Sequence, residues 1–447
     1  MKLKKIIAVL MAALLVTALT ACGGNNSSSS GGGTVEVTFW HSMDGVPGEI
    51  VQKQINAFNA GVGAEKGIHV TGVFQDWPGT DALTAAMSTD NTANMPDVIQ
   101  MYSEYVDLIR NWERTAWAED YITAAGSSVS KNDLVPNMVS AYSLNGRMIG
   151  VPYAISTLLL YYNQDLLAQA GYDAPPATIA EMAEMLKDIA AKTDAAYGLN
   201  VRIDQYEFEN FIAAQGPNGT YFGNNESGRT GNMTELACQD EIGLFLTEWQ
   251  KVIDSGAYKA TRDSINEEFA QGLNAMCIMT SSRIPTIAGL VGDAFEWGVA
   301  APPTVSASDV GGGYPSGSGL FMIDRGDDGD LDAAWEFVQY MISPEAQAMW
   351  LDGYSYVPVN RAAAETDAYK AAVAQDPRLD VPSQILFNSP DSVVASFCPA
   401  ASEVNTIIQS AMLNFADGSA TRDATYTAIV DGIDQAFADY FRVNPID

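Results

Sequence analysis

The stretch from Val35 to Tyr102 switches between two hydrophobic periods, and that alternation restricts the fold more than any other feature of the chain. In "VEVTFW", Val35, Val37 and Phe39 take every second position, the period of a strand. "GEIVQKQINAFNA" then spaces Val51, Ile55 and Phe58 as one buried stripe of a helix. "IHVTGVF" reads as a second strand. "MPDVIQMY" (Met95–Tyr102) reads as a third, apolar enough to be buried on both faces. Strands alternating with helices predict an α/β architecture with a mainly parallel sheet. Ligands of such sheets sit beyond the carboxyl ends of the strands. Trp40–Asp44, Gln75–Trp77 and Ser103–Glu104 follow those ends and are therefore cleft candidates.

Ahead of this pattern, "MKLKK" is a basic start and "IIAVLMAALLVTAL" an apolar run too short for a comfortable membrane span. The run ends in "LTAC", which resembles a lipobox and implies that residues 1–21 are a lipoprotein signal peptide and Cys22 an acylated first residue. The Gly/Ser composition of residues 22–34 predicts a flexible tether reaching some 15–20 Å. An anchor, a tether and a body, in that order, suggest an extracytoplasmic protein held at the bacterial cell membrane.

Further along, Asn145-Gly146 is a hairpin signal. Thr178 with Glu181 forms a capping box ahead of an apolar stripe at Met182, Met185, Leu186 and Ile189. A helix entered near Asn163, a helix–Gly–strand unit in "INEEFAQGLNAMCIMTSS" and a Ser343-Pro344 helix start complete the coarse reading. At 447 residues the chain exceeds one ordinary core.

The formal net charge is −32, and loss of Lys2, Lys4 and Lys5 with the signal makes the remainder more acidic still. Such a surface repels nucleic acid and anionic lipid, so neither is an expected partner. Cys238, Cys277 and Cys398 contain no CxxC and allow at most one disulfide, whose existence the spacing leaves open.

Chemistry finds little support. There is no G-x-S-x-G, and of the two histidines His69 sits within a strand while His41 follows one. No H-x-x-x-H spacing offers a zinc site, and "GGGYPSGSG" lacks the GKS/GKT ending of a phosphate loop. A glycoside hydrolase needs two carboxylates across a cleft, and no local motif marks such a pair. The expectation is binding without turnover, with no metal and no cofactor.

"TFWHSMDG", "VPYAISTLLLYYNQDLLAQAGYDAPPATIAEM", "EEFAQGLNAMCIMTSS", "ISPEAQAMWLDGYSYVPVN" and "FADGSATRDAT" occur in an order that resembles the extracellular solute-binding proteins of carbohydrate-type ABC importers. The opening "FWHSM" is most like the glycerol 3-phosphate binders of that family. The resemblance implies an α/β, two-lobed periplasmic-binding-protein fold, maltose-binding-protein-like (type II), with three crossings between lobes. By motif, one lobe spans 35–150 plus 300–354 and the other 151–299 plus 355–447. It also implies a monomer whose partners are a small-molecule ligand and the permease subunits, with the membrane reached through the anchor alone.

Carried over position by position, the family's ligand contacts fall on Ser156, on Ser281 within Thr280–Ser282, on the Gly317 backbone and on Tyr356. Ser103 and Glu104 stand where glycerol-phosphate binders have a glutamate, and Trp77 is the aromatic nearest their first-lobe tyrosine. Trp40 either stacks on a sugar face or lies beneath the site. Asp44 either accepts from hydroxyls or caps the next helix. The phosphate-binding arginine of that branch falls on Asn405, and an amide suits a pair of hydroxyls better than a phosphate. A neutral sugar or oligosaccharide is therefore expected. A phosphate ester held by Arg202 or Arg283 is the alternative.

Overall fold

The structure is a computed structural model that describes residues 33–225, 229–230 and 233–445. The expected signal peptide, Cys22 and nearly all of the expected tether lie outside these residues. Chain Val35–Asp447 forms one compact unit.

Two sheets organise that unit. In the first, Val35–His41 pairs in parallel with both Ile68–Phe74 and Val98–Tyr102, and Ser316–Ile323 runs antiparallel to Val98–Tyr102, Thr115–Ala116 and Val151–Ser156. In the second, Leu158–Asn163 lies antiparallel between Asn274–Thr280 and Trp297–Ala300, while Tyr197–Asn200 pairs in parallel with Asn274–Thr280 and Tyr258–Lys259. Both sheets are thus mixed, not mainly parallel as the opening alternation predicts. The antiparallel strands are those that enter or leave by a crossing, which no local βαβ pattern encodes.

The chain leaves the first sheet at Thr157, between Val151–Ser156 and Leu158–Asn163. The motif-based boundary at 150/151 lies before that strand. The chain returns through 301–315 to the strand Ser316–Ile323. It crosses a third time after Val359, whose side chain is still in the first core, and reaches the helices Ala401–Ala416 and Arg422–Val443 in the second.

Each sheet has its own core. Val51, Ile55 and Phe58, the stripe of Gly45–Ala60, are buried against the first sheet beside Phe39 and Phe337. Burial of one such ring contributes about 2–3 kcal/mol. Met182, Met185, Leu186 and Ile189 are buried in the second core, on the helix Ile179–Lys192. Thr178 Oγ1 caps that helix by accepting from Glu181 N–H at 3.2 Å, and Glu181 accepts from Ala177 N–H at 2.9 Å. Asn145 and Gly146 both have positive φ, 53° and 75°, and turn the small hairpin Ser143–Leu144/Arg147–Met148 as the sequence predicts.

Candidate functional site

A cavity of about 650 Å³ is lined by residues from both sides of the crossings. The first-sheet side supplies Trp77, from the turn after Ile68–Phe74, and Tyr102, Ser103, Glu104 and Tyr105, from the end of Val98–Tyr102 and the turn Ser103–Leu108. The other side supplies Gln205, Tyr206 and Glu209 from the helix Gln205–Ala213, and Ser402 and Asn405 from the start of Ala401–Ala416. The crossing segments add Tyr314–Gly317 and Ala395–Cys398.

Local chemistry explains how these groups are held. Asp204 and Glu207 form a reciprocal capping box that starts the helix Gln205–Ala213. Gln205 and Glu209, one turn apart, then share a bond of 2.6 Å. Glu209 is buried, and its carboxylate also accepts from Tyr314 O–H at 2.8 Å and Ser396 Oγ–H at 3.2 Å. Burial pushes its pKa up against the pull of those donors. Glu104 stays open to solvent in the cleft, yet enclosure by protein raises its carboxyl as well, opposed by a bond to Tyr105.

Gly317 has φ of 142°, and a Cβ there would lie 2.0 Å from the Ala154 carbonyl oxygen. Only glycine lets the returning strand come this close to Val151–Ser156. The Gly317 carbonyl accepts from Tyr142 O–H at 2.7 Å.

Of the residues singled out from sequence, Trp77, Ser103, Glu104, Gly317 and Asn405 line the cavity. Asn405 Oδ1 also accepts from Gln205 N–H at 3.1 Å, which ties the two helices at the cavity wall. The other five stand off it. Trp40 packs half-buried against the first core. Asp44 is exposed at the N-cap of Gly45–Ala60, without a side-chain capping bond. Ser156 Oγ–H donates to the Ser316 carbonyl at 3.3 Å, just behind the lining. Ser281 is fully buried, where its hydroxyl accepts from Thr157 N–H at 3.3 Å and its carbonyl from Ser355 at 2.7 Å. Tyr356 is 8% exposed, its ring wedged edge-on against Trp350 and Tyr354. His41 is buried at the end of the strand Val35–His41, off the cavity lining, accepts from Met43 N–H at 3.4 Å and has its pKa lowered by burial.

Neither arginine considered for an anion lines the cavity. Arg202 is forked onto Asp204, at 2.9 and 2.8 Å, and Arg283 lines a separate hollow of about 230 Å³. The guanidinium on the cavity is Arg262, which sequence reasoning missed. It bonds Glu207 at 2.5 Å and lies 3.2 Å from Asp204. Glu209, Tyr314 and Phe397 were missed too, whereas of two tyrosines the sequence offers as weaker ring candidates Tyr206 lines the cavity and Tyr153 is fully buried. The capping box in "DQYE" would have marked the helix carrying Glu209, and Tyr314 lies in the "GGGYPSGSG" set aside as a phosphate loop. Among the described residues no group of three or more His, Cys, Asp or Glu side chains is placed to hold a metal. No described helix is long and apolar enough to cross a membrane.

The family model for bacterial extracellular solute-binding proteins matches residues 53–377. The sn-glycerol-3-phosphate-binding periplasmic protein UgpB of Escherichia coli K12 is 26% identical over 370 residues, 79% of this chain and 81% of that protein. UgpB of Rhizobium meliloti is 25% identical over 358 residues, 78% of this chain and 80% of that one. Among solved structures, the sugar-binding protein MalE of Xanthomonas citri superposes with a TM-score of 0.75 at 19% identity, covering 92% of this chain and all of that one. UgpB of Mycobacterium tuberculosis in complex with glycerophosphocholine gives 0.68 at 21% identity, covering 92% and 99%. The two sheets, the crossings and the cavity between them are thus the two-lobed periplasmic-binding fold, and the chain belongs to the bacterial extracellular solute-binding proteins, the substrate-binding components of ABC importers, which bind their solutes and are not enzymes.

Proposed function

We propose that this protein captures a neutral sugar or oligosaccharide between its two lobes and delivers it to an ABC permease. Acylated Cys22 anchors it to the cell membrane, and it works as a monomer. The observation that carries the ligand class is the state of Arg262. Its guanidinium is already engaged by Glu207 and Asp204, while Glu104 and Glu209 put two further carboxylates on the same cavity. A phosphate dianion entering here meets acidic groups and, among the described lining residues, no free cation. Hydroxyls meet an acceptor at Glu104, the amide N–H donors of Asn405, and both donors and acceptors at Ser103, Ser316 and Ser402. The apolar faces of sugar rings meet Trp77, which is 57% exposed, and Tyr206. Because the lobes each hold part of the set, ligand favours the closed arrangement by its differential affinity.

The named function of the UgpB relatives supports a second reading, glycerol 3-phosphate or a glycerophosphodiester. A thermal-shift screen separates the two. Maltose and longer glucosides are expected to raise the melting temperature by an amount set by ligand concentration over Kd. Glycerol 3-phosphate is expected to leave it unchanged, and glycerophosphocholine to raise it less than the glucosides do. A response to the phosphates alone overturns the sugar reading.

A further inference from the structure

The two walls of the cavity repeat one arrangement. On the first, Trp77 and Tyr102 meet at 90° with ring centroids 4.5 Å apart, and Glu104 follows two residues after Tyr102. On the second, Tyr206 and Tyr314 meet at 57° with centroids 5.5 Å apart, and Glu209 accepts the Tyr314 hydroxyl. Phe397 lines the space as well. Two steeply angled rings form a corner whose faces carry negative quadrupole potential, and each corner here has a carboxylate beside it.

The cations nearby do not answer these carboxylates. Arg262 is engaged by Glu207 and Asp204. Arg110 lies 5.1 Å from the Phe397 ring centroid and pairs with Asp107 at 2.7 Å, while Arg229 lies on the same ring at 5.7 Å and donates to the Ala395 and Ala141 carbonyls. Its charge reaches Glu209 through the protein, with no hydrogen bond between them. The donors on Glu209 are Gln205, Tyr314 and Ser396, all neutral. What acts on Glu104 is enclosure and the Tyr105 hydroxyl. A partly enclosed carboxylate facing aromatic corners is favourably met by a ligand that brings positive charge of its own.

We propose that the cavity contains a cation subsite, bounded by the Trp77–Tyr102 and Tyr206–Tyr314 pairs and by Glu104, which holds an ammonium group, quaternary or protonated, of a hydroxyl-bearing ligand. This rests on the cleft's being the ligand site and not on the rest of the ligand's being a sugar. An amino sugar satisfies both readings. A neutral sugar satisfies the first alone.

Titration calorimetry at neutral pH tests it, using choline chloride and its uncharged isostere in which a tert-butyl group replaces trimethylammonium. Choline is expected to bind at least ~10-fold more tightly than the isostere. In Glu104→Gln, an isosteric change that removes the charge, the gap shrinks to under ~3-fold while the fold is retained. In Trp77→Ala both ligands weaken and choline weakens more. No binding of choline, equal binding of the two ligands, or a gap that survives both substitutions overturns the subsite. Neutral-sugar binding without a choline preference sinks this inference and leaves the sugar reading standing. A choline preference with no sugar response does the reverse.

Discussion

Inside the cavity wall, the Tyr314 hydroxyl donates to Glu209 Oε2 at 2.8 Å. The bond joins the helix Gln205–Ala213 to the segment that returns to the first sheet. It fixes a ring on the cavity lining, and the same carboxylate holds Gln205 and Ser396. Removing it in Glu209→Ala leaves buried donors unmatched, and the expected loss of stability is about 1–3 kcal/mol in urea melts.

A pH dependence follows from the same group. Burial raises the folded-state pKa of Glu209 above its ordinary value. Between the two values the folded chain keeps a proton that the unfolded chain has released, so the stability contributed is full below the ordinary value and lost as pH rises through the raised one. Glu209→Gln does not titrate. Melts from about pH 4 to pH 8 are expected to show wild type losing stability relative to this variant as pH rises. A constant difference across that range contradicts the assignment.

Trp77 stands at the cleft edge, with Tyr102 as its ring partner and much of its surface open. Trp77→Ala is expected to cost under about 1 kcal/mol in stability but to weaken the stabilising sugar about 10-fold, as loss of ring stacking implies. Equal binding by variant and wild type removes Trp77 from the site.

Asn405 reports on charge. Asn405→Arg adds a guanidinium to a cavity whose own arginine is engaged, and it is expected to create measurable glycerol 3-phosphate binding while weakening sugar. Asn405→Ala loses the acceptor for Gln205 N–H and is expected to cost about 1 kcal/mol in stability. Calorimetry and melts on both variants check the pair. Sugar affinity unchanged in both excludes position 405 from ligand contact.

Gly317→Ala brings a methyl group into the Ala154 carbonyl and demands a positive φ from a residue that resists it. The expected destabilisation is about 2–4 kcal/mol, read as a lower urea midpoint.

The thiols of Cys238, Cys277 and Cys398 are free, and burial raises the pKa of each. Ellman titration is expected to find negligible fast reaction in the native protein and all of these thiols in guanidinium. Their absence from the denatured titration would reveal a disulfide.

What the sequence determined by itself was what depends on near neighbours. The stripe Val51–Ile55–Phe58, the Thr178 cap and the Asn145-Gly146 turn are each set by residues within a turn or two, and each is found where the pattern puts it. The strand-end rule likewise brought Trp77, Ser103 and Glu104 to the cavity, because a parallel β–α repeat opens its loops on one side. Tertiary structure alone decided the rest. The sheets became mixed because Ser316–Ile323 arrives from another lobe, a pairing between residues far apart in the chain. Tyr356 and Ser281 sit at positions aligned with ligand contacts, yet packing against Trp350, Tyr354 and Ser355 keeps them in the interior. Arg262 carries the ligand argument through its distance to Asp204 and Glu207, across a cap and a loop more than fifty residues apart. Charge counted along the chain says only that the surface is acidic. Which carboxylates remain unanswered in the cleft is a matter of which groups the fold has already paired.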